Sequence, residues 1–282
     1  MPRFGMITFA TEYSMAPGEV ARAIEERGLD AFYVSEHTHI PTSKKSRYPG
    51  GTDYHKDFYY AYDPIVALTA AAAATSRITL GTFVILIAQR DPIITAKQFA
   101  TLDRLSRGRV VVGCGAGWNA EEMADHGIPF KRRWPAVREH ISAMKELWSK
   151  EIAEFHGEFV NFEPSWMYPK PLQAGGPPVL IGSRSDKVFA RIARYADGWC
   201  PLLRPGYDLA RGVRMLREAA SSAGRRFEDL HLKVSIIAPT ADSVKQALDL
   251  GFQEVDTFVP SAGPERAMPA IENFAELAAK LR

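Results

Sequence analysis

The alternation of short β-rich segments with segments of helical periodicity constrains the fold of this chain most. Strands are predicted at 4–10, 31–37, 78–85, 109–115, 178–182, 198–202, 230–237 and 254–259, and helices at 18–27, 62–75, 93–106, 132–149, 185–196, 207–223, 241–250 and 264–281. Strands that alternate with helices indicate βα units around a parallel sheet rather than a β-sandwich. Eight such units predict an α/β fold, a (β/α)8 TIM barrel.

The length of the chain is typical of one such barrel. The 282 residues contain no linker rich in Pro, Gly or Ser, so we expect 1–282 to form a single domain. Two segments are longer than the connections that a plain barrel needs, namely 40–61 after the second strand and 151–177 before the fifth. Long loops in a compact domain are usually functional, which makes these segments candidate walls of a pocket. The second contains a predicted hairpin with Gly157 at its turn.

Composition and charge narrow the class of protein. The hydrophobic fraction is 46%, and 35 basic against 33 acidic residues give a net charge of +2 without a basic run, which argues against a nucleic-acid or anionic-membrane partner. The longest apolar run, around 70–74, is far shorter than a membrane span needs, and the N-terminus does not resemble a signal peptide, so we expect a cytoplasmic protein. Cys114 and Cys200 lie in apolar stretches without CxxC spacing and are expected to be buried thiols.

The stretch "SEHTH" at 35–39 follows the second strand, where a TIM barrel carries its active site. Successive strand residues point to opposite sides, so His37 is expected in the barrel mouth while Glu36 faces away or supports the loop. Two histidines with a carboxylate are also a possible metal set, and a purely structural histidine is the other alternative. Because no further His, Asp or Cys cluster follows another strand to complete such a set, we predict no metal.

The fifth predicted strand runs into Gly182, Ser183, Arg184 and Ser185, and then directly into a helix. Free backbone N–H groups at a helix N-terminus, the helix dipole, two hydroxyl groups and an arginine together favour an anion. This turn is therefore a predicted phosphate-binding site. The glycines of "GCGAG" at 113–117 lack the spacing of a dinucleotide fingerprint and are weaker evidence.

At this point the chain resembles the bacterial luciferase-like monooxygenases and the related flavin- or deazaflavin-dependent reductases. The resemblance rests on "SEHTH" at 35–39, on the block from "LGTFVILIAQRDP" to "GAGWNAEEMADHGI" over 80–128, on "MYPKP" at 167–171 and on "VLIGSRSDKVFARIARYADGW" at 179–199. It spans almost the whole chain. Within the family it looks most like the branch that uses coenzyme F420, a 5-deazaflavin, and FMN is the alternative cofactor.

The resemblance implies where the cofactor would lie. Relatives have a non-prolyl cis peptide bond in a bulge that supports the ring, and it matches Phe83-Val84, with Thr82 before it. Asn119 matches a residue that hydrogen-bonds the ring or its ribityl chain. The phosphate-binding turn matches Gly182 and Ser183, with Arg184 and Ser185 as additions, while the acidic residue of some deazaflavin enzymes corresponds here to Ala116.

The resemblance also implies the chemistry, which is hydride transfer between carbon 5 of the deazaflavin and a small organic substrate. His37 matches the active-site histidine, and it is expected either to move a proton or only to hydrogen-bond the cofactor. Glu36 is its acidic neighbour, and it would favour the charged imidazole if the two side chains meet. Tyr13, His39 and Trp199 are candidates for the substrate side of the pocket.

Two other functions remain open at this stage. An FMN-dependent monooxygenase of the same fold would need oxygen and a flavin reductase partner. A barrel that binds a phosphate ligand without redox chemistry would differ in class, and a lyase of that kind would need a Schiff-base lysine or paired carboxylates at strand ends. Relatives commonly form homodimers, and the Ala-rich helix at 62–75 is a candidate interface.

Overall fold

The computed structural model describes residues 1–51 and 53–282. Its parallel barrel contains the strands β1 (Arg3–Thr8), β2 (Ala31–Val34), β3 (Thr79–Ile85), β4 (Val110–Cys114), β7 (Val179–Ile181), β8 (Gly198–Trp199), β9 (Leu202–Leu203), β10 (His231–Ile236) and β11 (Glu254–Phe258). The short strands β8 and β9 share one barrel position, since both pair with β10. The eight predicted strands therefore correspond to eight positions.

The sheet closes on itself. β1 pairs in parallel with β2 on one side and with β11 on the other, and β10 also pairs with β11, so the strand order returns to its start. This closed parallel arrangement confirms the predicted TIM barrel. It brings the carboxyl ends of strands that are distant in sequence to one rim of the barrel, where the loops after them meet.

The larger helices cover the outside of the barrel, and two short helices belong to loops at its rim. The helices are α1 (Pro17–Glu26), α2 (Asp57–Tyr60), α3 (Pro64–Ala74), α4 (Pro92–Leu105), α5 (Ala120–Asp125), α6 (Arg133–Ser149), α7 (Lys187–Tyr195), α8 (Leu209–Ser222), α9 (Ala241–Asp249) and α10 (Pro264–Leu281). α3 and α4 each begin with proline after an aspartate that caps the helix, Asp63 and Asp91, whose carboxylates accept backbone N–H bonds. The short helices α2 and α5 were not predicted. Within the described part of the chain, no helix has the length and apolarity that a membrane crossing requires.

The two extra segments lie between β2 and α3 and between α6 and β7. The second forms the predicted hairpin, in which β5 (Ile152–His156) pairs antiparallel with β6 (Asn161–Trp166). Glu139 of α6 is buried beneath its turn and accepts a 2.7 Å hydrogen bond from the backbone N–H of Phe159. The first segment contains α2, whose Phe58 is buried. Each segment is thus attached to the barrel by its own buried contact.

The barrel interior combines apolar side chains with a buried ionic group. Lys233 of β10 forms an ion pair with Asp256 of β11, its Nζ lies 3.1 Å from the centroid of the Tyr33 ring, and all three side chains are fully buried. Lys233 is thus neutralised beneath the rim rather than placed as a free amine, which argues against Schiff-base chemistry. Cys114 and Cys200 are buried thiols, as predicted.

Candidate active site

A cavity of about 460 Å³ opens at the rim where the barrel strands end. Eight of the predicted site residues line it, namely Glu36, His37, Phe83, Val84, Gly182, Ser183, Arg184 and Ser185. They lie in β3 or directly after β2 and β7, and they meet only because the sheet is closed. Concave, mostly apolar cavities with a few convergent polar groups are the usual form of small-molecule sites.

His37 is held in this cavity by a carboxylate that the sequence analysis missed. Its Nδ1 lies 2.8 Å from Oε2 of Glu122, a fully buried residue in the first turn of α5. The other oxygen of Glu122 accepts the backbone N–H of Thr38 at 3.0 Å. A carboxylate can only accept hydrogen bonds, so Nδ1 donates its hydrogen to Glu122 and Nε2 is the second nitrogen of the ring. No described residue hydrogen-bonds Nε2, which is therefore the atom available to a ligand.

Glu36 supports the rim of the barrel, which is one of the two arrangements expected for it. Its Oε1 lies 2.7 Å from Nε of Arg90, and its Oε2 accepts the backbone N–H of Leu86 at 2.6 Å. Arg90 also bonds Asp63, the capping residue of α3. Burial raises the pKa of the Glu36 carboxyl, although Arg90 opposes that shift. The acidic partner of His37 is Glu122 rather than Glu36, which instead ties the rim to α3.

Aromatic rings surround His37. The centroid of its imidazole lies 4.7 Å from that of Phe58, 5.6 Å from Trp118 and 6.3 Å from Phe9, which is nearly parallel to it. Tyr48 packs against both Phe58 and Trp118 at 5.1 and 5.3 Å. Tyr48 and Phe58 come from the segment at 40–61, so this insertion does supply a wall of the pocket. The wall presents ring faces, which suit an apolar or planar ligand.

The floor of the cavity contains the predicted cis peptide bond, between Phe83 and Val84. The register between β3 and β4 shifts there, as in a β-bulge. Val84 fits closely between two glycines, because a Cβ added to Gly115 or to Gly182 would lie 2.7 Å from a methyl carbon of Val84. Thr82 does not line the cavity, since its hydroxyl donates a 2.8 Å hydrogen bond to the Gly113 carbonyl inside the barrel wall.

The predicted anion-binding turn, at 182–185, lines the same cavity. The Ser183 hydroxyl oxygen accepts a 3.3 Å hydrogen bond from the backbone N–H of Ser185. α7 begins at Lys187, two residues later than predicted, so 182–185 form a loop before the helix rather than its first turn. Arg204, after β9, joins Arg184 here. Burial, and secondarily the positive charge of Arg204, lower the pKa of Arg184, as expected for cations held together without an anion.

The remaining predicted residues lie outside the cavity lining. Trp199 is a core residue packed against Phe189, and its indole N–H donates a 2.8 Å hydrogen bond to the Ser183 carbonyl, so it supports the turn from behind instead of contacting a substrate. The Asn119 side chain caps α5 by accepting from the backbone N–H of Glu122 at 3.2 Å.

Tyr13 and His39, both predicted on the substrate side, contact other loops instead. The Tyr13 hydroxyl donates to Oδ1 of Asp57 at 2.6 Å, and burial together with that carboxylate raises the pKa of Tyr13 to about 12. The exposed His39 lies 3.0 Å from Oδ2 of Asp125. His37 and His39 thus face two different carboxylates, which is not the arrangement that a shared metal would need.

Comparison with known proteins identifies the family of this barrel. The profile of the luciferase-like monooxygenases matches residues 12–280. The chain belongs to this family.

This luciferase-like protein is similar to several proteins along most of its length. An uncharacterized protein of Mycobacterium tuberculosis is 41% identical over 282 residues, which are 99% of this chain and 98% of that protein. The F420-dependent glucose-6-phosphate dehydrogenase of Kineococcus radiotolerans is 30% identical over 249 residues, covering 85% of this chain and 69% of that protein. The structure of coenzyme F420 dependent tetrahydromethanopterin reductase from Methanopyrus kandleri has a TM-score of 0.77 at 17% identity and covers 100% of this chain and 99% of that one. This last likeness shows the shared fold.

Sequence reasoning missed several residues that the luciferase-like barrel brings to the cavity. Glu122 had a local signal, because it stands three residues after the capping Asn119, at the N3 position where acidic side chains are favoured. Arg133 and Arg204 line the cavity without such a signal, since Arg133 reads as the start of an ordinary helix and Arg204 follows the two-residue strand β9. Phe9 precedes α1 on the first loop and resembles any core aromatic in the sequence.

Proposed function

We propose that this chain is an F420-dependent oxidoreductase that acts on a small organic substrate. The observation that carries the proposal is the meeting, in one cavity, of the anion-binding turn at 182–185, the bulge at Phe83-Val84 and the His37–Glu122 pair. The relative named F420-dependent glucose-6-phosphate dehydrogenase, at 30% identity over 85% of the chain, supports the cofactor assignment. The substrate of that relative is not part of the proposal.

The residues of the cavity fit a phosphorylated planar cofactor. Gly115 and Gly182 let Val84 pack closely between them, because a Cβ on either would lie 2.7 Å from a Val84 methyl carbon, and this packing holds the bulge that would support a flat ring. Arg184 and Arg204 line the same cavity, and neither forms an ion pair with a described residue, so their charge is available to a phosphate. Backbone N–H groups of the loop at 182–185 would add to this attraction.

Each part of the site then has a distinct task. The 182–185 turn anchors the phosphate, and the Phe83-Val84 bulge supports the ring from behind. When bound, a 5-deazaflavin supplies hydride transfer. His37 holds its Nε2 toward the ligand and can donate or accept the proton that accompanies reduction or oxidation of a carbonyl, alcohol or activated double bond. Glu122 fixes the tautomer and orientation of that imidazole, while the aromatic wall excludes water.

The cofactor assignment is tested by titrating the purified protein separately with coenzyme F420 and with FMN and following ligand fluorescence. We expect micromolar or tighter binding of F420 and much weaker binding of FMN. Ser183→Asp should weaken F420 binding at least tenfold, because it places a carboxylate against the phosphate. Ser221→Asp, which adds the same charge at an exposed position on α8, is the matched control.

Two outcomes would change the proposal. A preference for FMN would assign the chain to the monooxygenase branch of the family. Binding of neither compound would refute both redox proposals and leave a barrel that binds some other phosphate ligand.

We also propose that the protein is a homodimer. α3 exposes Val66 at 68% of its surface, and the adjacent α4 exposes Ile94 at 59% and Leu105 at 63%, so one outer face of the barrel is apolar. Light scattering after gel filtration should give twice the chain mass, and Val66→Glu should give the monomer. A monomeric parent protein would refute the dimer without affecting the redox proposal.

A further inference from the structure

The cavity carries more positive charge than one phosphate needs. Arg133, Arg184 and Arg204 all line it. Arg191 is not a lining residue, but its guanidinium carbon lies 4.2 Å from the centroid of the Trp134 ring, which does line the cavity. Arg184 and Arg204 flank the phosphate-binding turn. The second pair, Arg133 and Arg191, comes from α6 and α7 and has no role in the proposed function so far.

Arg133 is held in place but not neutralised. It is the first residue of α6, it donates a 2.7 Å hydrogen bond to the Phe130 carbonyl, and its guanidinium carbon lies 3.8 Å from the centroid of the Phe130 ring. Its Nε is buried without a hydrogen-bond partner among the described residues. Burial and the charge of Arg191 lower the pKa of Arg133. Two like charges are thus brought together with one donor group unused.

Two arginines close to Arg133 in the sequence are paired with carboxylates. Arg132, one residue earlier, pairs with Glu158, and Arg138 on the same helix pairs with Glu139. In the described part of the chain, neither Arg133 nor Arg191 forms an ion pair. An unused buried donor and a like-charge pair both oppose folding, and an anion bound between them would relieve both costs.

We propose that Arg133, Arg191 and Trp134 form a second anion-binding subsite, which takes a carboxylate or phosphate group of a ligand bound in this cavity. The inference rests on the proposed function, because the first anionic group is the phosphate at the 182–185 turn. The second group has two sources, the anionic oligoglutamate tail of the cofactor or an anionic substrate. The indole of Trp134 would cover the apolar part of either ligand.

The test uses ligands that share one ring and differ in charge. Dissociation constants are measured by fluorescence for three ligands. They are the deazaflavin with its ribityl chain but without phosphate, the 5′-phosphate of that compound, and complete coenzyme F420. The proteins are the parent, Arg133→Gln, Arg191→Gln and Arg184→Gln, with Arg194→Gln as the matched control because it removes an exposed charge from the same helix, α7. Thermal melts check that each variant folds. Arg191→Gln keeps the hydrogen bond between Arg133 and the Phe130 carbonyl. It therefore still tests the subsite if Arg133→Gln does not fold.

We expect Arg184→Gln to weaken the 5′-phosphate and F420 alike. Arg133→Gln and Arg191→Gln should weaken F420 about tenfold to a hundredfold, the value of a charge-assisted hydrogen bond, while changing the affinity of the 5′-phosphate less than threefold. That result would place the cofactor tail at the subsite. If F420 affinity is instead unchanged, but calorimetry shows that Arg133→Gln abolishes binding of glucose 6-phosphate to the F420-loaded protein, the substrate supplies the anion.

The inference is overturned if the two variants bind F420 and glucose 6-phosphate as the parent does. Failure of the proposed function has a different signature, because the parent itself would then not bind F420. In that case, calorimetry with inorganic pyrophosphate tests the subsite directly. Binding by the parent that Arg133→Gln weakens tenfold supports the subsite, and equal or absent binding overturns it.

Discussion

Replacing Arg90 by methionine should destabilise the protein strongly at neutral pH and much less at acid pH. Arg90 supplies two of the hydrogen bonds that the Glu36 carboxylate accepts, and only 1% of the Glu36 side chain is exposed. The backbone N–H of Leu86 supplies another at 2.6 Å, and it remains in the variant. Removing one partner of a buried ion pair leaves the other charge uncompensated, which costs about 3–5 kcal/mol. We expect that loss at pH 7.5.

The pH dependence follows from the direction of the Glu36 pKa shift. Burial already raises that pKa above its ordinary value of 4.5, and Arg90 is the main group that opposes the shift. Without Arg90 the folded-state pKa rises further, so the folded state then favours the protonated carboxyl. Such a group stabilises the fold below its unfolded pKa and loses that contribution as the pH rises through the folded value. The deficit of Arg90→Met should therefore shrink between pH 7.5 and pH 5.

Urea denaturation followed by tryptophan fluorescence measures the difference in the free energy of unfolding between parent and Arg90→Met at each pH, provided that the two proteins have equal m-values. The double variant Glu36→Gln with Arg90→Met is the control, because a neutral amide needs no counter-charge and can still accept from Leu86. It should recover more than half of the loss. A deficit below about 1 kcal/mol at pH 7.5, or an equal deficit at both pH values, would show that Glu36 is not held as the contacts indicate. Unchanged F420 affinity of Glu36→Gln would support its structural role.

Three further predictions concern the floor and the turn of the cavity. Gly182→Ala places a Cβ 2.7 Å from a Val84 methyl carbon, so calorimetry should show F420 binding at least tenfold weaker, and an unchanged dissociation constant would contradict the tight fit. Trp199→Phe removes the 2.8 Å hydrogen bond to the Ser183 carbonyl and should weaken F420 about threefold to tenfold, whereas no change would mean that the turn holds its shape alone. Burial raises the pKa of Cys200 to about 12, so this thiol should resist iodoacetamide in native protein at pH 8 and react in urea-unfolded protein. Rapid labelling of the native thiol would refute its burial.

The barrel could be predicted from the sequence because its signals are local. Strand and helix periodicities repeat eight times, and aspartate-proline pairs begin two of the helices where predicted. The errors lie at element ends and in short elements. α7 starts two residues late, and α2 and α5 are too short to show a helical period.

The parts of the site that continue a strand were also predictable. His37, the Phe83-Val84 bond and the 182–185 turn each lie at or just after the end of a recognisable strand, and a TIM barrel turns all such ends to one rim. Their resemblance to family motifs added the peptide geometry at Phe83-Val84, which no propensity predicts. The roles of these residues toward a cofactor remain predictions.

Only the tertiary structure decided which side chains act together. The choice of Glu122 over Glu36 as the partner of His37 depends on how α5 packs against the end of β2, 85 residues away in sequence. Trp199 was predicted in the pocket but lies in the core, where its indole N–H donates to the Ser183 carbonyl. Arg133 lines the cavity because α6 begins beside it. Local sequence determines where strands and helices form, since their signals repeat within a few residues. Hydrogen-bond partners and charge pairs depend on distances that exist only after the barrel has closed.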